Sequence, residues 1–404
     1  MNARTARDVP AHVPEDLVRP FSFYDDPRLV ADPFAALASL HDGPRIFWNT
    51  ISPRHGGTWV LTRADDIRAL CADTQRFSNV GQFNMARLIG ESWDMVPGEL
   101  DPPDLRKYRD VVGKWLNPAT VAEMSGLMRS RAVDLIERLQ GRNSCEFMAE
   151  FGIRFPVSIF VELMGLPIEE TDMLLVWEED IVRASDMTVR AKAVKAIADY
   201  LRAKIAERRR NPREDLISRA IAAEIDGQKL TDDRILGICF MLFTGGLDTV
   251  ASSMGFQFLY LARHPEVQQR LRADVALAPS LVEELLRAAS VVVVHRVVTA
   301  DTEFAGVKMA KGDWIAIPTA LGSLDPQGVR GSHAVDPDRR GVRHMAFGVG
   351  AHFCLGMHLA RRQLTIALEE WSQRMPPFRV AEPDGVAFRG GGVFLVERLP
   401  LEWS

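Results

Sequence analysis

Two stretches of this chain hold residues whose types and spacing could do chemistry. The first is Phe347-Gly348-Val349-Gly350-Ala351-His352-Phe353-Cys354-Leu355-Gly356. Its three glycines let the backbone turn tightly and approach something flat and bulky. Leu359, Ala360, Leu364, Ala367, Leu368 and Trp371 then keep helical spacing, which places Cys354 at a helix N-terminus, where the dipole and free N–H groups favour thiolate. Such a thiolate could ligate a metal or attack an electrophile. The plainer reading is a small buried cysteine beside a turn. A phosphate loop fits poorly, because the Gly-Lys-Ser/Thr ending is missing. The second stretch is Gly245-Gly246-Leu247-Asp248-Thr249, inside the apolar run Ile235 to Ala262, whose only charge is Asp248. A local explanation has Thr249 bonding back to a carbonyl while Asp248 finds a cation. It leaves unexplained two adjacent glycines, each costing about 1 kcal/mol in a helix interior. A local widening of the helix would use them and open a groove for a small ligand.

The elements that position these residues are mostly helical. By length the Ile235–Ala262 run could cross a bilayer, but a charge near its centre is costly there, so a buried central helix is expected. Asn117 to Leu139 and Ala191 to Arg210 carry apolar residues near turn spacing. Arg208-Arg209-Arg210 reads as a solvated helix end. Ser280-Leu281-Val282-Glu283 has capping-box spacing and predicts a helix start. Strand-like pieces are short: Thr58 to Thr62, and Thr302 to Ile317 as a hairpin turning at Lys311-Gly312-Asp313. The expected fold is mainly α with small accessory β-sheets, an N-terminal tail over 1–20 and a single domain over 21–404. Residues 1–20 hold no apolar block of the kind a signal peptide or anchor needs. Lys plus Arg number 49 against 54 Asp plus Glu, without the basic excess of a generic nucleic-acid binder. Four scattered cysteines with no C-x-x-C pair suit a cytoplasmic protein with reduced thiols.

The first stretch resembles the haem-binding signature of the cytochrome P450 monooxygenases, Phe-x-x-Gly-x-x-x-Cys-x-Gly. Phe347, Gly350, Cys354 and Gly356 match each fixed position. The resemblance implies a triangular-prism fold with haem b between the long central helix and the cysteine loop, and Cys354 as the axial ligand to iron. Gly245 and Gly246 would make room for O2, and Thr249 with Asp248 would relay protons to it. Glu284-Leu285-Leu286-Arg287 matches the family's interior Glu-x-x-Arg pair, a structural feature. The propionate donors would be Arg109, Arg296 and His352. Leu105 stands where many members carry a histidine.

From about Thr58 onward the chain is similar to the camphor 5-monooxygenase branch, notably at Gly245–Val250, Cys354–Arg362 and Leu399–Trp403. That likeness implies a monomer fed electrons by a 2Fe–2S ferredoxin and its flavin-dependent reductase. Arg106, Lys107, Arg109 and Lys114 are candidates for the docking patch. Trp93 stands where the camphor enzyme has its ketone-binding tyrosine, and Val294 where it has an aspartate. Trp93 could still donate through its indole N–H. Phe83, Met241, Thr244, Val292 and Val393 would complete the pocket, with 77–97 and 168–193 as a lid. The implied substrate is a small terpenoid, a bicyclic ether or ketone or an ionone-like ring, with no nucleic acid or membrane involved. Two other readings are a non-catalytic haem protein that senses or carries a gas or apolar ligand, and a cysteine hydrolase using Cys354 and His352.

Overall fold

The computed structural model describes residues 9–52, 56–184, 186–328, 331–341 and 343–404. The chain is mainly helical with small sheets, as expected. It divides into two compact units, 1–82 with 279–354 and 386–397, and 83–278 with 355–385 and 398–404.

The first unit is built on a six-stranded mixed sheet in the order Val18–Arg19, Ile46–Asn49, Thr58–Leu61, Trp314–Pro318, Val293–Val298, Phe77–Ser78. Apolar side chains including Trp48, Trp59, Ile315, Ile317, Cys71 and Phe77 form its core. The expected tail takes part: Val13 lies in that core and Val18–Arg19 pairs in parallel with Trp48–Asn49. Residues 1–8 of the tail are outside the described residues. The hairpin differs from expectation. Val307 pairs with Phe304, so the turn is Ala305-Gly306, both at positive φ (50° and 82°), the pattern of a two-residue hairpin turn. The Lys311-Gly312-Asp313 turn instead delivers Trp314–Pro318 into the large sheet. Asp313 fixes that turn by accepting from Trp59 Nε1 at 2.8 Å and from the Ala310 N–H at 3.0 Å.

Glu284 and Arg287 are buried in this unit, on the helix Ala278–Ala288, which begins before the expected cap. Their guanidinium–carboxylate contact is two-pronged, at 2.8 and 2.7 Å. Arg287 also donates to the carbonyls of Ser332 and Ala334, while Glu284 accepts from the Asp336 N–H. One side-chain pair thus pins the 332–336 segment to the helix. Removing one partner strands a buried charge, so Arg287→Ala should cost about 3–5 kcal/mol of stability. Chemical denaturation checks this, and a loss within about 0.5 kcal/mol, the ordinary range for surface changes, would contradict it.

The second unit is a stack of helices around Phe147, Phe258 and Trp371, with Phe147 and Phe258 stacked at 4.2 Å. The helix expected over Asn117–Leu139 is broken at Met124 into Pro118–Glu123 and Ser125–Glu137. The helix ending at Arg210 starts earlier than expected, at Met187, where the Asp186 side chain accepts from the Thr188 N–H. Arg208 is not solvated: it is buried, bonded to Asp215 and to the Gly165 carbonyl. The central apolar run forms Asp232–Leu247 and Thr249–Arg263, started by a Thr231 cap. It is long and apolar enough to cross a membrane, yet 67% of its most apolar window is buried inside the protein, as the buried-helix reading requires.

Candidate active site

The cysteine loop lies in the first unit up to Cys354. The Cys354 N–H donates to the Phe347 carbonyl at 2.9 Å, and the Phe353 N–H to that of Gly350 at 3.1 Å. Gly348 and Gly350 take φ of 71° and 76°, the left-handed region that favours glycine. A Cβ on Gly350 would stand 2.5 Å from the Cys71 carbonyl oxygen. The close approach this glycine permits is therefore to the chain's own backbone, where the sequence suggested a flat ligand. Cys71, Cys145 and Cys239 are buried, whereas Cys354 is exposed. Burial pushes the Cys145 and Cys239 thiols up to about 12 and also raises Cys71. Cys354 is thus the one cysteine open to a ligand, against the plainer reading of a buried thiol. It precedes the helix Met357–Arg374, whose N-cap is Gly356.

Val294 and Arg296, two apart in the strand Val293–Val298, share one of its faces, and Val292 directly precedes the strand. Arg296 pairs with Ile315 and Val294 with Ile317 in the sheet register. Arg296 is buried and donates to the His295 carbonyl at 2.7 Å, with Cys71 Sγ at 3.8 Å from its guanidinium. Cys71 thus sits beside both Arg296 and Gly350. Val294 packs against the core cluster, as does Val349 of the loop. Val292 bridges to Val393. His352 ends a single turn of 3-10 helix, Gly350–His352, and is partly buried, as is Phe347.

The second unit holds the acid–alcohol pair. The helix is interrupted at Asp248, and the Thr249 hydroxyl donates back to the Gly245 carbonyl at 3.2 Å. The two glycines divide their work. Gly245 is exposed on the helix, and a Cβ there would meet only Met241, at 3.9 Å. A Cβ on Gly246 would strike the Phe160 ring at 2.3 Å, so Gly246 serves helix packing and Gly245 alone leaves a face open. Asp248 is buried and bonded to Arg183 at 2.5 Å. Burial raises the Asp248 carboxyl, against the pull of Arg183. Glu178 also lies near Arg183, at 3.7 Å.

The segment bearing Trp93 is docked on the same helix. A Cβ on Gly237 would lie 2.0 Å from the Asp94 carbonyl oxygen, and Arg234 bonds the Asp94 carboxylate at 2.9 Å. This seats the Trp93 ring 4.8 Å from Phe240. Buried Glu99 accepts from the backbone N–H groups of Phe83, Asn84 and Met95, closing the segment into a loop. Gly98 brings Phe83 and Met241 together, since a Cβ there would meet both within 3.1 Å. Thr244 is turned back, bonding the Phe240 carbonyl at 3.2 Å. The Trp93 N–H, expected as a donor to substrate, is committed to Glu91 at 2.6 Å, and Glu91 is held in turn by Arg202. Arg109 is partly exposed in the last turn of Asp104–Val112, and Leu105 is buried, its side chain without a donor.

Haem b fits the donor chemistry present. An exposed thiol would supply a soft ligand to the iron, and a buried guanidinium suits an anionic propionate. Arg296 and His352 of the first unit would hold the propionates, with Cys354 on the iron.

The sequence model of the cytochrome P450 family matches residues 171–375. Probable cytochrome P450 127A1 of Sinorhizobium fredii is 36% identical over 98% of this chain and 97% of its own. The crystal structure of cytochrome P450 CYP101C1 superposes with a TM-score of 0.89 and 34% identity, over 98% of this chain and all of that one. That of CYP101J2 gives 0.88 and 32%, over 98% and 99%. These matches set aside the sensor and hydrolase readings. With the fold, the exposed Cys354 and its glycine loop, they establish that this chain belongs to the cytochrome P450 family, monooxygenases that use haem b and O2.

Proposed function

We propose that the enzyme hydroxylates an unactivated C–H bond of a small apolar terpenoid, as a cytoplasmic monomer taking two electrons from a 2Fe–2S ferredoxin and its flavin-dependent reductase. Bound haem would supply the iron at which O2 is activated, with electron donation from Cys354 favouring O–O cleavage. The chain's own residues supply protons and position the substrate. Asp248 Oδ1 is held by Arg183, while its buried Oδ2 has no hydrogen-bond partner among the described residues and can take up and pass on a proton. The Thr249 hydroxyl donates to the Gly245 carbonyl, so it turns acceptor lone pairs to the open face and passes its proton there when that bond is exchanged. Arg106, Lys107 and Lys114 are exposed and suit an acidic electron carrier, although Lys107 already bonds Asp226 at 2.6 Å.

The observation that carries the substrate class is the commitment of the Trp93 N–H to Glu91. It leaves Phe83, Trp93 and Met241 as an apolar wall, with Phe240 packed behind Trp93. Shape and apolar contact then select the substrate, a bicyclic ether or an ionone-like ring, and no Trp93 hydrogen bond singles out the ketone of camphor. Spin-state titrations with cineole, β-ionone and camphor test this, followed by product analysis with a ferredoxin system. Camphor should bind weakest. Glu91→Ala should free the indole N–H and tighten camphor binding about tenfold, the size of one hydrogen bond, relative to camphane, the same skeleton without the ketone. Tightest binding of camphor by the unaltered enzyme, or an equal response of both ligands to Glu91→Ala, would sink the reading.

A further inference from the structure

One buried carboxylate beside the proposed proton route has no role in the account so far. Glu178 lies in the helix Thr171–Arg183, and its side chain is 4% exposed. Its sequence context, Glu178-Glu179-Asp180, reads as a solvated acidic run. Instead Oε2 faces Arg183 at 3.7 Å, and Oε1 is buried with no hydrogen-bond partner among the described residues. The same guanidinium, itself 6% exposed, bonds Asp248 at 2.5 Å and half-exposed Glu179 at 2.9 Å.

Three carboxylates thus share one cation, and two of them are out of water with it. Full ionisation would leave excess negative charge in a dry site, and the usual relief is to keep a proton on one acid. Asp248 has a direct bond to Arg183 and a contact with Ser252 Oγ at 3.5 Å. Glu179 reaches solvent. Glu178 stands beyond hydrogen-bond range of Arg183 and gains least from ionising. Burial, and next the charge of Asp248, lift its carboxyl well above the ordinary range. The charges acting on it are Asp248 from the central helix and Arg183 and Glu179 from its own.

We propose that Glu178 is a positioning residue for Asp248: as the neutral acid it leaves Arg183 to Asp248, and on losing its proton it competes for that guanidinium and loosens the clamp. Asp248 is then held ionised and oriented while Glu178 keeps its proton, and becomes mobile when Glu178 gives it up. This rests on the proton-delivery reading of Asp248.

Infrared spectroscopy of the holoenzyme at neutral pH should show the carbonyl stretch of a protonated carboxyl. Glu178→Gln should lose that band, and Asp248→Asn, which removes the neighbouring charge and leaves Arg183 to Glu178, should move its loss to lower pH. Thermal unfolding gives a second readout. The unfolded chain releases this proton above about pH 4.3, whereas the native protein keeps it, so native stability falls as pH rises through that window. Glu178→Gln lacks this penalty, and its Tm should gain on wild type by about 2 °C per pH unit above about pH 5. Absence of the band from wild type, or a Tm difference that stays flat or falls with pH, overturns the proposal. Product formed per NADH separates this proposal from the reading beneath it. Wild-type coupling should change with pH where Glu178→Gln stays flat. An Asp248→Asn enzyme that turns over at the wild-type rate overturns the proton-delivery reading and the role of Glu178 with it. A slowed Asp248→Asn beside a Glu178→Gln with the wild-type pH profile overturns the role of Glu178 alone.

Discussion

Cys354→Ser should fold, and should lose the thiolate-type spectrum and essentially all hydroxylation. The loop geometry supports the first half of this statement. Its turns are set by the Cys354 N–H to Phe347 carbonyl bond and by Gly348 and Gly350 at positive φ, all of them backbone features that serine preserves. Gly350 is additionally fixed by the Cys71 carbonyl. The second half follows from chemistry: a serine hydroxyl neither ionises at neutral pH nor donates electrons as a thiolate does. The other cysteines cannot substitute, because each is buried and its thiol is pushed further from ionisation. Circular dichroism establishes that the variant is folded, and product analysis measures the loss. Substantial hydroxylation by a folded Cys354→Ser protein would contradict the assignment of the ligand.

Thr249→Ala carries the second large effect. Substrate binding and electron uptake should stay near wild type, while product per NADH falls about tenfold or more and hydrogen peroxide rises, as expected when a positioned proton donor is lost. Among the described residues the hydroxyl bonds only the Gly245 carbonyl, within the same helical turn, so its removal strands no described buried partner from another element. Asp248→Asn should slow turnover about a hundredfold, and in addition leaves the Arg183 guanidinium without its closest carboxylate. Parallel measurement of NADH consumed, product and peroxide checks both. Unchanged coupling in Thr249→Ala would remove the proton-delivery role.

The parts of this site that sequence makes legible are those whose residue types are forced by local geometry. Gly350, Cys354 and Gly356 are spaced by the loop itself, and the Asp248-Thr249 pair stands out because the surrounding run is otherwise free of charge. Val294 and Arg296 share a strand face through simple alternation. What sequence hides is burial decided by tertiary packing. Glu91, Glu99 and Glu178 look like surface acids, yet one captures the Trp93 N–H, one ties down the loop beside it, and one shares Arg183. Arg208 hides in the same way, inside a triple-arginine helix end. Gly237 and Gly246 gave no signal of their partners, because what each admits, the Asp94 backbone or the Phe160 ring, comes from a distant part of the chain. The hairpin turn is hidden because Lys311-Gly312-Asp313 carries stronger turn chemistry than Ala305-Gly306. Asp313 uses that chemistry to enter the large sheet, bonding Trp59.

The central claim is that Cys354 ligates haem iron as a thiolate. The most direct measurement is the absorption spectrum of the purified, reduced protein after CO addition, beside the Cys354→Ser variant. The account predicts a red-shifted, thiolate-type Soret band in the wild type and its absence in the variant. A wild-type protein that takes up haem but shows the unshifted band of a nitrogen-ligated haem, unaffected by Cys354→Ser, would contradict it.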